Sequence, residues 1–170
     1  MALVVSSLSI LWGLLLSTKV MGRRPGPRWI LDLHRWFAGT AITFTAIHVG
    51  ALLLDGYTSF GPLDVLVPGW SEWRPGAVAW GVVAMWLLVA IHVTSLFMSK
   101  LPRRLWRFVH LGSYLVFFTA VMHGATAGTD ATNLPYVGVV IGLVAATTLL
   151  TIYRIVAVRR QPSRTPLASV

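Results

Sequence analysis

His34, His48, His110 and His123 form two spaced pairs, fourteen and thirteen residues apart, within strongly apolar stretches. An ionisable side chain in a lipid-spanning segment is costly, so its first reading is functional. Imidazoles are metal ligands, and two such pairs read as the ligands of two haem groups held across a membrane. The chain has no cysteine. That excludes thiolate-bound iron–sulfur clusters, covalently attached c-type haem, a dithiol redox centre and a disulfide framework. If the protein does redox chemistry, imidazoles must hold the cofactor.

The elements that must position these residues are membrane helices. Of 170 residues 56% are hydrophobic and only 11% charged, and mean hydropathy is +0.74. A soluble domain would carry about 25% charged residues. About 20 apolar residues suffice to cross a bilayer as a helix. Five stretches qualify: Ala2 to Thr18, Trp36 to Leu54, Ala77 to Met98, Phe108 to Ala127 and Leu134 to Tyr153, none containing Lys, Arg, Asp or Glu. Pro27, Pro75, Pro102 and Pro135 sit near their starts, where a missing N–H is tolerated. The first stretch lacks a basic n-region and is followed by Lys19, Arg23 and Arg24 instead of a small-residue cleavage site, so it reads as a retained helix and not a signal peptide.

The loop charges set the orientation. Thirteen of the fourteen basic residues fall between spans one and two, between three and four, or after span five, and Arg74 alone falls on the other side. The positive-inside rule makes the basic side cytoplasmic, with the N-terminus outside and the C-terminus inside. Asp55, Asp64, Glu72 and Asp130 occupy the outer loops. The net charge of +9 is thus mainly a topology signal, and nucleic-acid binding is not expected. The expected architecture is an all-α membrane protein: residues 1–158 form a bundle of five transmembrane helices, and residues 159–170 a polar, disordered cytoplasmic tail. Tyr57, Phe60, Trp70 and Trp73 of the outer loop read as an interfacial aromatic belt.

On that topology spans two and four run parallel. His34 and His110 lie near their cytoplasmic starts, and His48 and His123 lie ~21 Å and ~20 Å further along at ~1.5 Å per residue. His34 then faces His110 at an inner level, and His48 faces His123 at an outer one. Each level supplies two axial imidazoles, a six-coordinate arrangement suited to electron transfer. At ~100° per residue, however, thirteen residues leave His110 and His123 ~140° apart around one helix. Haems displaced sideways, or a bend near Gly112 or Gly124, would reconcile them. A membrane histidine also serves as an interhelical hydrogen-bonding group or a proton relay, and His34 and His110 are close enough to the interface to be hydrated.

The H-x13-H and H-x12-H pairs on alternate helices resemble the ferric reductase-like transmembrane domain. The strings L-D-L-H-R-W (31–36), A-I-H-V (46–49), W-R-F-V-H-L (106–111) and H-G-A-T-A-G-T-D (123–130) carry the resemblance, which covers roughly Trp29 to Tyr153. It implies that His34, His48, His110 and His123 ligate two b-type haems, His34/His110 inner and His48/His123 outer. It implies a two-haem cytochrome in the plasma membrane that passes electrons outward. The sequence after Tyr153 carries no glycine-rich dinucleotide turn, so the donor is expected to be a separate flavin reductase or membrane quinol. The outer acceptor is unspecified. Arg35 and Arg107, beside the inner level, are candidate partners of haem propionates, because a guanidinium fork pairs with carboxylate. His92 reads as an interhelical hydrogen-bonding group, with an alternative ligand, a haem-propionate partner or a quinone contact as the other readings, and Thr126, Thr129 and Asp130 read as a polar helix end. Ala38, Gly39, Gly50, Gly112 and Gly124 are small residues near the ligands. The contrasting reading is a haem-free scaffold or proton-relaying transporter subunit.

Overall fold

The apolar stretches form helices that run past the limits set by charge. In the computed structural model, which describes residues 2–18, 28–56, 60–129 and 131–159, these are α1 (Ala2–Thr18), α2 (Arg28–Leu54), α3 (Pro62–Leu66), α4 (Pro75–Leu96), α5 (Arg103–Leu111), α6 (Ser113–Ala127) and α7 (Leu134–Arg159). Among the described residues there is no strand. The expectations placed on Lys19, Arg23, Arg24, Pro27, Tyr57, Asp130 and the tail from Arg160 onward fall outside them.

Helix α2 begins at Arg28, eight residues before the expected Trp36. The charges that ended the apolar stretch do not end the helix. Asp32 and Arg35 stand one turn apart on its exposed face, 3.8 Å from each other, and such i,i+3 pairs are compatible with a helix. His34 consequently lies nearly two turns inside α2. Helix α7 likewise continues past Tyr153 to Arg159. Pro75 opens α4 as expected, after the N-cap Arg74, and Pro62 opens the unexpected short α3, where Asp64 Oδ2 accepts the Gly61 N–H at 2.7 Å.

Among the described residues four segments are long and apolar enough to cross a membrane: Arg28–Leu54, Pro75–Leu96, Arg103–Ala127 and Leu134–Ala157. Helix α1 is shorter, with 17 residues, or ~25 Å at ~1.5 Å per residue against a hydrocarbon core of about 30 Å. The packing is that of a membrane protein. Small and hydroxyl residues are buried (Ser6, Ser7, Ala41, Ala77, Ala84, Thr119), while Leu54, Phe108 and Leu134 are more than three-quarters exposed. Small interior residues let helices approach closely where lipid removes the hydrophobic drive to associate.

Helix α1 packs on α2, α6 and α7; α4 packs on α2 and α6. Helices α2 and α6 make no more than marginal contact with each other. Thus α1 and α4 stand between them on opposite sides and keep a slot open along the axis. The slot has an arginine-rich end, with Arg35, Arg103, Arg104 and Arg107, and α3 with its preceding loop packs on α4. Two contacts fasten that segment: Trp86 Nε1 donates to the Leu66 carbonyl at 2.9 Å, and Phe60 packs on Val78 and Val82. Phe60 is therefore buried and outside any aromatic belt, whereas Trp70 is exposed.

Candidate functional site

The four histidines meet across the slot in two levels. His34 of α2 faces His110 of α5 with ring centroids 6.0 Å apart, and His48 of α2 faces His123 of α6 at 6.2 Å. The pairing is between helices, at matched depths. The ~140° conflict is met at Gly112, which separates α5 from α6 and donates its N–H to Val109 O at 2.9 Å. That i→i−3 bond tightens the turn and breaks the regular rotation between His110 and His123.

Each level has its own support. His34 Nδ1 lies 2.8 Å from the Ser9 carbonyl, and His123 Nδ1 lies 2.9 Å from the Ala77 carbonyl. A carbonyl only accepts, so in both rings Nδ1 is the donor and Nε2 keeps its lone pair. His110 Nδ1 lies 3.4 Å from Ser95 Oγ. Helix α1 therefore orients His34, and α4 orients both His110 and His123. Two glycines make room for these contacts. A Cβ on Gly81 would stand 2.7 Å from the His123 ring, and one on Gly13 would stand 3.2 Å from the His34 ring. Of the glycines expected beside the ligands, Gly39 and Gly50 face open space.

The His48/His123 level opens into a cavity of about 610 Å³ whose lining includes Phe44, Leu52, Met85, Tyr136 and both histidines. That volume and apolar lining are in the range of cofactor sites. At the other level Trp106 stacks on His110 with centroids 4.9 Å apart and planes at 28°. The indole N–H groups of Trp106 and of Trp12, which packs edge-on against Phe37, are buried without a hydrogen-bond partner. Such orphaned donors are uncommon and await an acceptor.

The donor set discriminates between cofactors. Among the described residues no three His, Asp or Glu side chains gather as a non-haem metal would require. The histidines come in twos, which suits an ion whose other ligands come from a macrocycle. The paired imidazoles at each level, with ring centroids 6.0 and 6.2 Å apart, fit a haem that would be held between two helices.

Arg35 and Arg107 are exposed at the arginine-rich end. His92, half-buried on α4, joins neither pair among the described residues. Thr126, in the last turn of α6, spends its hydroxyl on the Met122 carbonyl of its own helix at 2.6 Å. Sequence reasoning missed Ser9, Gly13, Ala77 and Gly81, because backbone carbonyls and space between helices leave no signal in residue type. Only the placement of Gly81 within an otherwise bulky span offered a hint.

Comparison with known families matches residues 1–121 to the ferric reductase like transmembrane component. The matched segment contains His34, His48 and His110 and ends just before His123. Neither the curated proteins nor the solved structures give a match.

Proposed function

The chain belongs to the ferric reductase-like transmembrane family, and on that footing we propose that it is a two-haem b-type cytochrome of the plasma membrane. The observation that carries this reading is the pair of facing imidazoles at each of two depths, 6.0 and 6.2 Å apart. His34 and His110 hold the inner haem, and His48 and His123 the outer one. A bound haem supplies a one-electron iron centre whose potential the protein tunes by ligation, hydrogen bonding and burial.

The chain's own residues do the rest. The Ser9 and Ala77 carbonyls fix the tautomers of His34 and His123, so that Nε2 is the ligating nitrogen of each. Gly13 and Gly81 admit the rings. Arg35 and Arg107, with the buried Trp106 N–H, meet the propionate carboxylates at the inner level. Residues 1–158 act as one unit of five crossing helices. α1 is the shortest, the N-terminus lies outside and the arginine-rich end faces the cytoplasm, in line with the positive-inside rule. Electrons enter from a separate flavin reductase or from quinol and leave from the outer level to an acceptor such as a ferric chelate, dioxygen or an extracytoplasmic partner enzyme.

The visible spectrum of the purified protein tests this. It should show a b-type haem with the sharp reduced bands of a low-spin, six-coordinate iron. A colourless preparation from haem-replete cells would contradict the proposal and favour a haem-free role for the histidines, such as proton relay.

A further inference from the structure

Arg74 breaks three local rules at once. Among the described residues it is the one basic residue at the His48/His123 end of the bundle. It adopts φ 43° and ψ 61°, a left-handed conformation that side-chain-bearing residues rarely take. It is also the N-cap of α4, a place favoured by Ser, Thr, Asp and Asn, where the helix dipole disfavours a cation.

One contact resolves all three. The Arg74 guanidinium donates to the Thr126 carbonyl at 3.1 Å, at the C-terminal end of α6, where carbonyls lack intrahelical partners and the dipole favours a cation. The guanidinium also lies over the Trp73 ring, 5.1 Å from its carbon to the ring centroid. Meanwhile its backbone carbonyl accepts the Val78 N–H at 3.0 Å, as an N-cap should. The residue thus belongs to α4 by its backbone and to α6 by its side chain.

A second bond runs the other way. His123 Nδ1 of α6 donates to Ala77 O of α4 at 2.9 Å. Arg74 and Ala77 are three residues apart on α4, and Thr126 and His123 are three apart on α6. In antiparallel helices that is one shared register, so the two bonds are successive rungs of a ladder. Rotating the end of α6 to break one rung strains the other.

We propose that Arg74 is a positioning residue that locks the register between the α4 start and the α6 end and thereby fixes the imidazole plane of His123. The inference rests on the proposed role of His123 as a ligand for its consequence, though not for its geometry. The Arg74–Thr126 rung holds His123 on the Ala77 carbonyl; without it the ring rotates and the Nδ1–H bond loosens.

Two measurements on the full chain in detergent test this. The first uses ¹⁵N-histidine labelling and follows the His123 Nδ1–H signal, identified by its loss in His123→Gln. In Arg74→Ala that signal should shift or exchange with solvent at least tenfold faster, and Arg74→Lys should restore part of the protection. Arg74→Gly, which relieves the left-handed backbone but also removes the guanidinium, should behave like Arg74→Ala. The second uses haem-loaded protein. Arg74→Ala should keep both haems and move only the low-spin electron-paramagnetic signal that His48→Ala abolishes. Unchanged Nδ1–H exchange in Arg74→Ala would overturn the proposal, whether or not haem is present. An intact ladder response in a protein that takes no haem would instead refute the cytochrome reading and leave this one standing.

Discussion

Single atoms decide how each imidazole is presented. Gly81 is the sharpest case, because a methyl group there would stand 2.7 Å from His123 Cε1 and Nδ1, nearer than real Cβ contacts come. In a helix interior Ala is otherwise preferred over Gly by about 1 kcal/mol, so Gly39→Ala and Gly50→Ala, which meet nothing, should leave stability equal or slightly raised. Gly81→Ala should instead displace the His123 ring and lose the haem of the His48/His123 level. Haem-to-protein ratios of the three variants, with their melting temperatures, check this contrast. His34 is a milder case: Gly13→Val should weaken the inner haem, since the first Cβ already lies within 3.2 Å of its ring. The histidines themselves were legible from type and spacing alone, and so was their sorting into two depths. Their tautomers were not, because Ser9 and Ala77 act through backbone carbonyls that every residue possesses.

At the scale of elements, the decisive features are the break between α5 and α6 and the two helices that hold the slot open. A Cβ on Gly112 would come within 2.8 Å of the Val109 carbonyl, so Gly112→Ala must alter the tight turn. It should disturb the inner haem, whose ligand His110 lies two residues away, more than the outer haem; the loss of one of two spectroscopic signals would show it. An unaltered pair of signals would mean that the break does not set the direction of His110. The break was legible as a rotational conflict, but its place was open between Gly112 and Gly124, since periodicity says that a helix must deviate and not where. Helix starts were misplaced for a different reason. Charge marks where a segment leaves lipid, whereas helices persist into the headgroup region, as α2 does through Asp32 and Arg35. The role of α1 as the support of His34 was hidden, because Ser9 and Gly13 read as ordinary small residues of a membrane helix. Ser9→Ala keeps the carbonyl that His34 uses and should be nearly silent, which separates backbone orientation from the weaker hydroxyl contact at 3.3 Å.

At the scale of the molecule, among the described residues, apolar surface faces outward, small and polar groups face inward, and four helices are long enough to span a bilayer. The absence of native cysteine gives a clean background for topology. Single cysteines at Trp70 and Ser99 should react with a membrane-impermeant thiol reagent from opposite sides, outside for the first and cytoplasmic for the second. A cysteine at Ala2 labelled from outside would establish the fifth crossing, and labelling from the cytoplasm would reduce the count to four. Because helices α2 and α6 barely touch, cofactor binding should contribute directly to stability: a ligand at 100 times its Kd adds about 2.7 kcal/mol, and the haem-loaded protein should melt at a higher temperature than the haem-depleted one. The central claim, that each haem is shared between helices and not carried by one, is tested most directly by haem stoichiometry in paired substitutions. Wild type should hold two haems per chain. His34→Ala with His110→Ala should hold one, as should His48→Ala with His123→Ala, whereas His34→Ala with His48→Ala should hold none. One haem remaining in that last variant, or none in either of the first two, would contradict the account.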